Sequence, residues 1–164
     1  MIKIVIADAD LLGCFLDRVA PIASHDLTWR FHTTKFMIHE AEKRALQANK
    51  TLNIPDWLTV KSFGRTEISA LMDFSTSRDA YRLSLAESSA MYYAKEWRYA
   101  LTAFDTLTIE SAHSLGITTY FPQQIFNAFY KDRIFTNILS SCFQNHDKKM
   151  LEQQRSTLPY GLSL

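Results

Sequence analysis

The chain has 164 residues, a usual size for one domain with a buried core. Apolar residues make up 47% and charged residues 21%, so the composition is that of a globular protein and excludes a disordered one. The formal net charge of +1 argues against a broad basic surface for nucleic acid, and no apolar run approaches the roughly 18 residues that span a bilayer. The apolar residues 1–7 meet two aspartates almost at once, so no secretory signal is predicted. We therefore expect a cytoplasmic protein without membrane association, in which Cys14 and Cys142 are free thiols.

The first half of the chain alternates predicted strands with predicted helices. Residues 2–7 (IKIVIA) form a β-branched run that is typical of a strand buried on both faces, and Asp10 is expected to cap the helix that follows. Thr33 or Thr34 is expected to open the second helix. The predicted strands cover 2–7, 29–32 and 58–63, and the predicted helices cover 11–19, 35–49 and 65–74.

The second half continues this alternation and ends in a polar segment. Gly116 is expected to stop one helix, and Pro122 occupies a favourable early position in the last one. The predicted helices cover 77–83, 84–97, 106–115 and 121–143 (the last being one long helix or a pair), and the predicted strands cover 99–103 and 117–120. We expect one domain over residues 1–143, followed by an arm or loose tail at 144–164.

Strands that alternate with helices predict a three-layer α/β fold, with a mainly parallel central sheet and helices on both faces. Ligands of such sheets bind beyond the carboxyl ends of the strands. Asp8 and Asp105 each follow a predicted buried strand at that edge. The edge is therefore the expected site of the chemistry.

Four acids stand out by their positions: Asp8, Glu40, Glu87 and Asp105. Carboxylates that converge at one edge repel each other unless a cation neutralises them, and oxygen ligands suit Mg²⁺ or Mn²⁺. Each acid also has a purely structural explanation. Asp8 and Asp105 can cap helices, Glu40 can be a solvated helix residue, and the pattern Ser84-x-x-Glu87 is a capping box.

The order and spacing of these acids resemble the PIN domain, a nuclease fold that also occurs in the toxin half of bacterial toxin–antitoxin pairs. The resemblance covers about residues 1–129. The matching stretches are IVIADADLL at 4–12, FMIHE at 36–40, LSLAESSA at 83–90, LTAFD at 101–105 and SAHSLGI at 111–117.

The resemblance implies a metal-dependent ribonuclease that hydrolyses phosphodiester bonds of single-stranded or structured RNA. It puts the catalytic acids of the family on Asp8, Glu40, Glu87 and Asp105, and metal ligands on Asp8, Glu87, Asp105 and Asp10, with Mg²⁺ or Mn²⁺ as the cofactor. The implied partners are an RNA substrate, an antitoxin or other protein, and a second copy of the chain. The chain departs from the family pattern at two points: the third acid is more often Asp, and the segment from Thr102 to Gly116 is one residue longer than usual.

Three other functions remain open at this stage. Asp8-Ala9-Asp10 fits the start of a phosphatase that resembles the haloacid dehalogenase family, although Leu12 stands where Thr or Val is expected. The acidic opening is similar to that of a phospho-receiver domain, but Asp56 precedes its strand instead of following it. A PIN-like fold without catalysis would act as a binding module.

Overall fold

The computed structural model describes residues 1–18, 29–77, 80 and 82–129. The strands are β1 (Ile2–Ile6), β2 (Trp29–Thr34), β3 (Leu58–Lys61) and β4 (Ala100–Thr102). The helices are α1 (Ala9–Arg18), α2 (Lys35–Gln47), α3 (Arg65–Ser75), α4 (Leu85–Trp97), α5 (Thr106–Ser114) and α6 (Pro122–Phe129). The four strands of the described residues lie in one compact unit, Met1–Ile125. The predicted domain boundary at residues 143 and 144 lies outside the described residues, as do the end of the predicted helix 121–143 and the tail 144–164.

The four strands form one parallel sheet in the order β3-β2-β1-β4. In the register of the central strand, Ile4 lies beside Phe31 of β2 on one side, and Ile6 lies beside Thr102 of β4 on the other. Parallel neighbours need crossover connections, and helices supply them between every pair of consecutive strands. The predicted three-layer α/β fold with a mainly parallel sheet is confirmed.

The strand order contains one topological switch point. From β1 the chain moves to β2 and then β3 on one side, and it returns to β4 on the other side of β1. The carboxyl ends of β1 and β4 therefore diverge into connections on opposite sides and leave a crevice, which is where ligands of open α/β sheets bind. Asp8 lies two residues beyond the end of β1, and Asp105 lies three residues beyond the end of β4.

The core holds this edge in place. Ile4, Val5 and Ile6 of β1 are fully buried, as a strand covered on both faces must be. Helix α4 contacts β1, β2 and β4, and the small residues Ser89 and Ala90 on it are fully buried. Small side chains let the helix lie close to the sheet, and the packing fixes the position of its N-terminal turn.

Two predicted elements are wrong. The described part of 77–83 is not helical: the bonds from Ala80 N to Ser77 O (3.2 Å) and from Leu83 N to Ala80 O (2.9 Å) each span three residues instead of the four of an α-helical bond. The predicted strand 117–120 reduces to a single parallel bridge between Thr119 and Leu101. With β4 only three residues long and α6 beginning at Pro122, little edge and little chain remain for a longer pairing.

Cys14 on α1 is disulfide-bonded, so the prediction of a free thiol is wrong there, and Cys142 lies outside the described residues. Among the helices of the described part, none has both the length and the apolar character that crossing a bilayer requires.

Candidate active site

Asp8 ties together the ends of the two strands at the switch point. Its Oδ1 accepts hydrogen bonds from the backbone N–H groups of Asp10 (2.8 Å) and Leu11 (3.0 Å), so Asp8, and not Asp10 as predicted, caps α1. Its Oδ2 accepts a hydrogen bond from the backbone N–H of Phe104 (3.1 Å), just after β4. Asp8 is only 8% exposed, and three N–H donors stabilise its negative charge.

Asp105 and Glu87 each stand at the start of a helix. Asp105 caps α5: its Oδ2 accepts hydrogen bonds from the backbone N–H (2.8 Å) and the hydroxyl (2.9 Å) of Thr108. Glu87 and Ser84 form the predicted capping box of α4, with 2.7 Å from Ser84 N to Glu87 Oε2 and 3.2 Å from Glu87 N to Ser84 Oγ. Both acids therefore have the structural role that their local sequence predicts.

The electrostatics of Glu87 link it to two of the other candidate acids. Burial raises the pKa of Glu87 most strongly, and the hydrogen bonds from Ser84 work against that rise. The negative charges of Asp105 and Glu40 raise the pKa further. Like charges have this effect only when they lie near each other, so three of the four predicted catalytic acids share one electrostatic environment.

Asp10 and Glu40 are held by a residue that the sequence interpretation did not assign to the site. Arg44 on α2 lies 2.8 Å from Asp10 Oδ2 through Nη1 and 2.5 Å from Glu40 Oε1 through Nη2. Burial lowers the pKa of Arg44, but the charges of and hydrogen bonds to Asp10 and Glu40 outweigh it and raise that pKa. The guanidinium stays protonated and neutralises part of the negative charge of the candidate acids. We call these acids the acidic cluster: Asp8, Asp10, Glu40, Glu87 and Asp105.

A sequence signal for Arg44 was present. It follows Glu40 by four residues, the spacing at which a helical acid and base form an ion pair. The contact with Asp10 had no such signal, because it joins α1 to α2 and exists only through their packing.

The candidate acids suit a divalent metal ion by their chemistry but not by their spacing. Among the described residues, no group of three or more His, Cys, Asp or Glu side chains is close enough together to hold a metal. The chemistry of the donors does fit Mg²⁺ or Mn²⁺, since all are carboxylate oxygens and Glu87 is destabilised by its neighbours' charges. Asp8 also retains capacity: an ionised carboxylate has about four acceptor positions, of which three are used.

The chain has the fold of a PIN domain, as a comparison with solved structures shows. One of the structures it is similar to is a PilT N-terminus domain protein, SSO1118, from the hyperthermophilic archaeon Sulfolobus solfataricus P2. The two chains are 17% identical with a TM-score of 0.52, and the match covers 80% of this chain and 97% of the other. No family model and no curated protein matches the chain. The predicted resemblance to the PIN domain is thereby confirmed at the level of the fold.

Proposed function

We propose that this protein is a metal-dependent ribonuclease of the PIN type, which hydrolyses phosphodiester bonds of RNA with Mg²⁺ or Mn²⁺. The observation that carries the proposal is the position of Asp8 and Asp105 just beyond the carboxyl ends of β1 and β4, at the switch point of a PIN-type sheet, where Asp8 Oδ2 binds the N–H of Phe104. The raised pKa of Glu87, caused first by burial and then by the charges of Asp105 and Glu40, supports it. Clustered, partly desolvated carboxylates are unfavourable for stability alone, and a bound cation would relieve their repulsion.

In this proposal the ion would draw the side chains of Asp8, Glu87 and Asp105 together, since no three described acids are close enough to hold a metal as they stand. A divalent cation there would lower the pKa of water and offset negative charge on the phosphate. The protein's own contribution is to hold the carboxyl group of Asp8 in place through three N–H donors and to fix Glu87 and Asp105 at helix starts. Glu40 holds Arg44 beside the acids, where its positive charge attracts a phosphodiester. Asp10 remains a predicted ligand, and ligation would require it to release Arg44.

The test is cleavage of a labelled single-stranded RNA by wild type and by Asp8→Asn. Wild type should cleave in Mg²⁺ or Mn²⁺ and stop in EDTA, and Asp8→Asn should lose at least about a hundredfold in rate, since disturbing a metal site typically costs that much or more. Asn still accepts the two cap hydrogen bonds through Oδ1, but its Nδ2 is a donor and loses the bond from the Phe104 N–H, so the unfolding free energy should fall by about 1 to 3 kcal/mol. Melting curves check that the variant is folded at the assay temperature. Cleavage that survives EDTA, or that the identically purified Asp8→Asn protein retains, would contradict the proposal.

A second candidate function is a PIN-like binding module without catalysis. The observation in its favour is that Arg44 already neutralises Asp10 and Glu40, while the described residues contain no ready group of three ligands. The same assay decides between the two, because a binding module would cleave no RNA at any Mn²⁺ concentration. A cytoplasmic location, a toxin role and an antitoxin or other protein partner stay predictions.

A further inference from the structure

Helix α2 presents two adjacent rows of side chains at a spacing of four residues: an outer row, and beside it the row of Phe36, Glu40 and Arg44. The outer row consists of Lys35, His39 and Lys43, all exposed. Lys35 and Lys43 lie about 12 Å apart along the helix axis, since each residue adds about 1.5 Å. The row therefore forms a polar, positively charged stripe along one face of the helix.

Two adjoining cavities run beside this stripe. One has a volume of about 510 Å³, and its walls include Glu40, Arg44 and Leu85. The other has a volume of about 400 Å³, and its walls include Phe63. Phe36 and His39 line both cavities, so the two share a wall. We call the pair the α2 groove.

The charges along the α2 groove are unevenly balanced. Lys35 and Lys43 form no ion pair with any described residue. Glu40 is the single acid among the groove's described lining residues, and Arg44 already pairs with it. The groove thus offers lysines whose charge nothing in the described part of the chain satisfies.

The groove also has aromatic walls. The rings of Phe36 and Phe63 lie with centroids 6.2 Å apart, and both side chains are half-buried, so each keeps part of its surface accessible. Cations that follow a backbone, combined with aromatic rings that accept bases of any sequence, are the chemistry by which proteins bind single-stranded nucleic acid. A protein partner would instead need matching acids for Lys35 and Lys43.

We propose that the α2 groove binds single-stranded RNA and leads its backbone to the acidic cluster. This inference rests on the proposed ribonuclease function and assigns its substrate path. Glu40, Arg44 and Ala86 line the same cavity of the groove, and Ala86 immediately precedes Glu87. An RNA strand along the lysine stripe would bring a phosphate beside Glu87.

The experiment measures binding of a labelled oligouridylate of about 12 nucleotides, a length within the range that one such groove covers. Fluorescence anisotropy is recorded in EDTA and again in Ca²⁺ over a series of salt concentrations. The test variant is Lys35→Gln/Lys43→Gln. The matched control is Lys95→Gln/Arg98→Gln, which removes the same charge at the opposite edge of the sheet, where these residues lie beside Ile2 and Lys3.

The test variant should bind about tenfold more weakly, and its plot of log affinity against log salt should be shallower by about 1.4, because two phosphate contacts are lost. The control should keep the wild-type affinity within about twofold. A third variant, Phe36→Leu, should weaken binding without changing the salt slope, since stacking releases no counterions. Melting curves of all variants confirm that they are folded.

The outcomes separate this inference from the proposed function. Salt-dependent binding through Lys35 and Lys43 without any Mn²⁺-dependent cleavage supports the groove and contradicts the ribonuclease. Mn²⁺-dependent cleavage with wild-type Kd and KM in Lys35→Gln/Lys43→Gln overturns the groove and leaves the ribonuclease standing. Equal losses in the test and control variants, or no RNA binding by wild type in either buffer, also overturn it, and a protein would then be the occupant to test.

Discussion

Arg44 forms ion pairs with two of the acids that the sequence assigned to the site, and these ion pairs reduce the negative charge that the acids offer to a metal ion. Asp10 and Glu40 both direct an oxygen to its guanidinium, and all three side chains remain partly accessible, 43% for Arg44 and 29% for each acid. An arginine in this position does electrostatically what a cation would do, because it lowers the repulsion among the carboxylates. It also competes with a metal ion for the same negative charge.

Replacing Arg44 with Gln should therefore strengthen metal binding. The variant removes a positive charge beside the acids, and we expect its Mn²⁺ affinity in calorimetric titration to rise about threefold to tenfold. The unfolding free energy should fall by only about 1 kcal/mol, since half-exposed ion pairs contribute little. Lys50→Gln, which removes the ion pair with Asp17 on the surface, is the control and should leave the Mn²⁺ affinity unchanged. A weaker Mn²⁺ affinity in Arg44→Gln would show that Arg44 organises the ligands instead of competing with them.

At the scale of the elements, three candidate ligands are also helix caps. Asp8 caps α1, Glu87 completes the capping box of α4, and Asp105 caps α5. The N–H groups and the dipole of a helix start favour a carboxylate there whether or not it binds metal. Topology therefore places the three acids along one edge of the sheet, because the helices that they cap begin there.

The two roles of Glu87 can be separated by Glu87→Gln. Gln can accept the hydrogen bond from Ser84 N as Glu does, so the cap remains. The pKa of Glu87 is raised, which means that its ionised form opposes folding at neutral pH, and the uncharged variant should melt at the same temperature or higher. Mn²⁺-dependent cleavage should be abolished, because Gln lacks the charge that a metal ligand needs.

Ser84→Ala is the complementary control for this pair of roles. It removes the acceptor for Glu87 N and should cost about 1 kcal/mol of stability, as measured by chemical unfolding, while Mn²⁺ binding is retained. Full nuclease activity in Glu87→Gln would reduce Glu87 to a cap and favour the binding module.

At the scale of the whole molecule, one buried base makes stability depend on pH. His32 in β2 is 7% exposed; its Nδ1 lies 3.0 Å from the Tyr93 hydroxyl, and its Nε2 has no hydrogen-bond partner among the described residues. Burial, and to a lesser extent the charge of Lys3, lower the pKa of His32 from 6.5 to about 4. Between about pH 4 and pH 6.5, the folded protein thus holds a neutral imidazole and the unfolded chain a charged one.

The unfolded state binds more protons than the folded state between these two pKa values. The contribution of His32 is therefore fully present above pH 6.5 and is lost as pH falls towards 4, by roughly 3 kcal/mol at most. The free energy of unfolding, measured with urea from pH 7 to pH 4, should fall with pH in wild type and fall less in His32→Gln. Glu87 acts in the opposite sense, since its raised pKa favours the folded state at low pH, and it cancels in the comparison of the two proteins. Identical slopes would contradict the assignment to His32.

The elements that were predicted correctly are those whose cause is local. The β-branched run of β1, the Thr34 cap of α2 and the Ser84–Glu87 box are all visible within a few residues of chain, and the structure has them all. The prediction for 117–120 was wrong because a β-branched run indicates strand propensity but not whether a neighbouring strand has free backbone groups for pairing. Asp10 was wrongly chosen as a cap because either aspartate satisfies the local pattern.

The amino-acid sequence by itself determined the starts of α2 and α4, the buried central strand and the placement of acids just beyond strand ends, because these depend on contacts within about one turn of chain. Only the tertiary structure decided that Asp8 would bind the backbone at Phe104, 96 residues away, and that Arg44 would bridge Asp10 and Glu40. Such contacts depend on how α1, α2 and the sheet pack together, which is a property of summed burial over the whole core and leaves no mark in any single stretch of sequence.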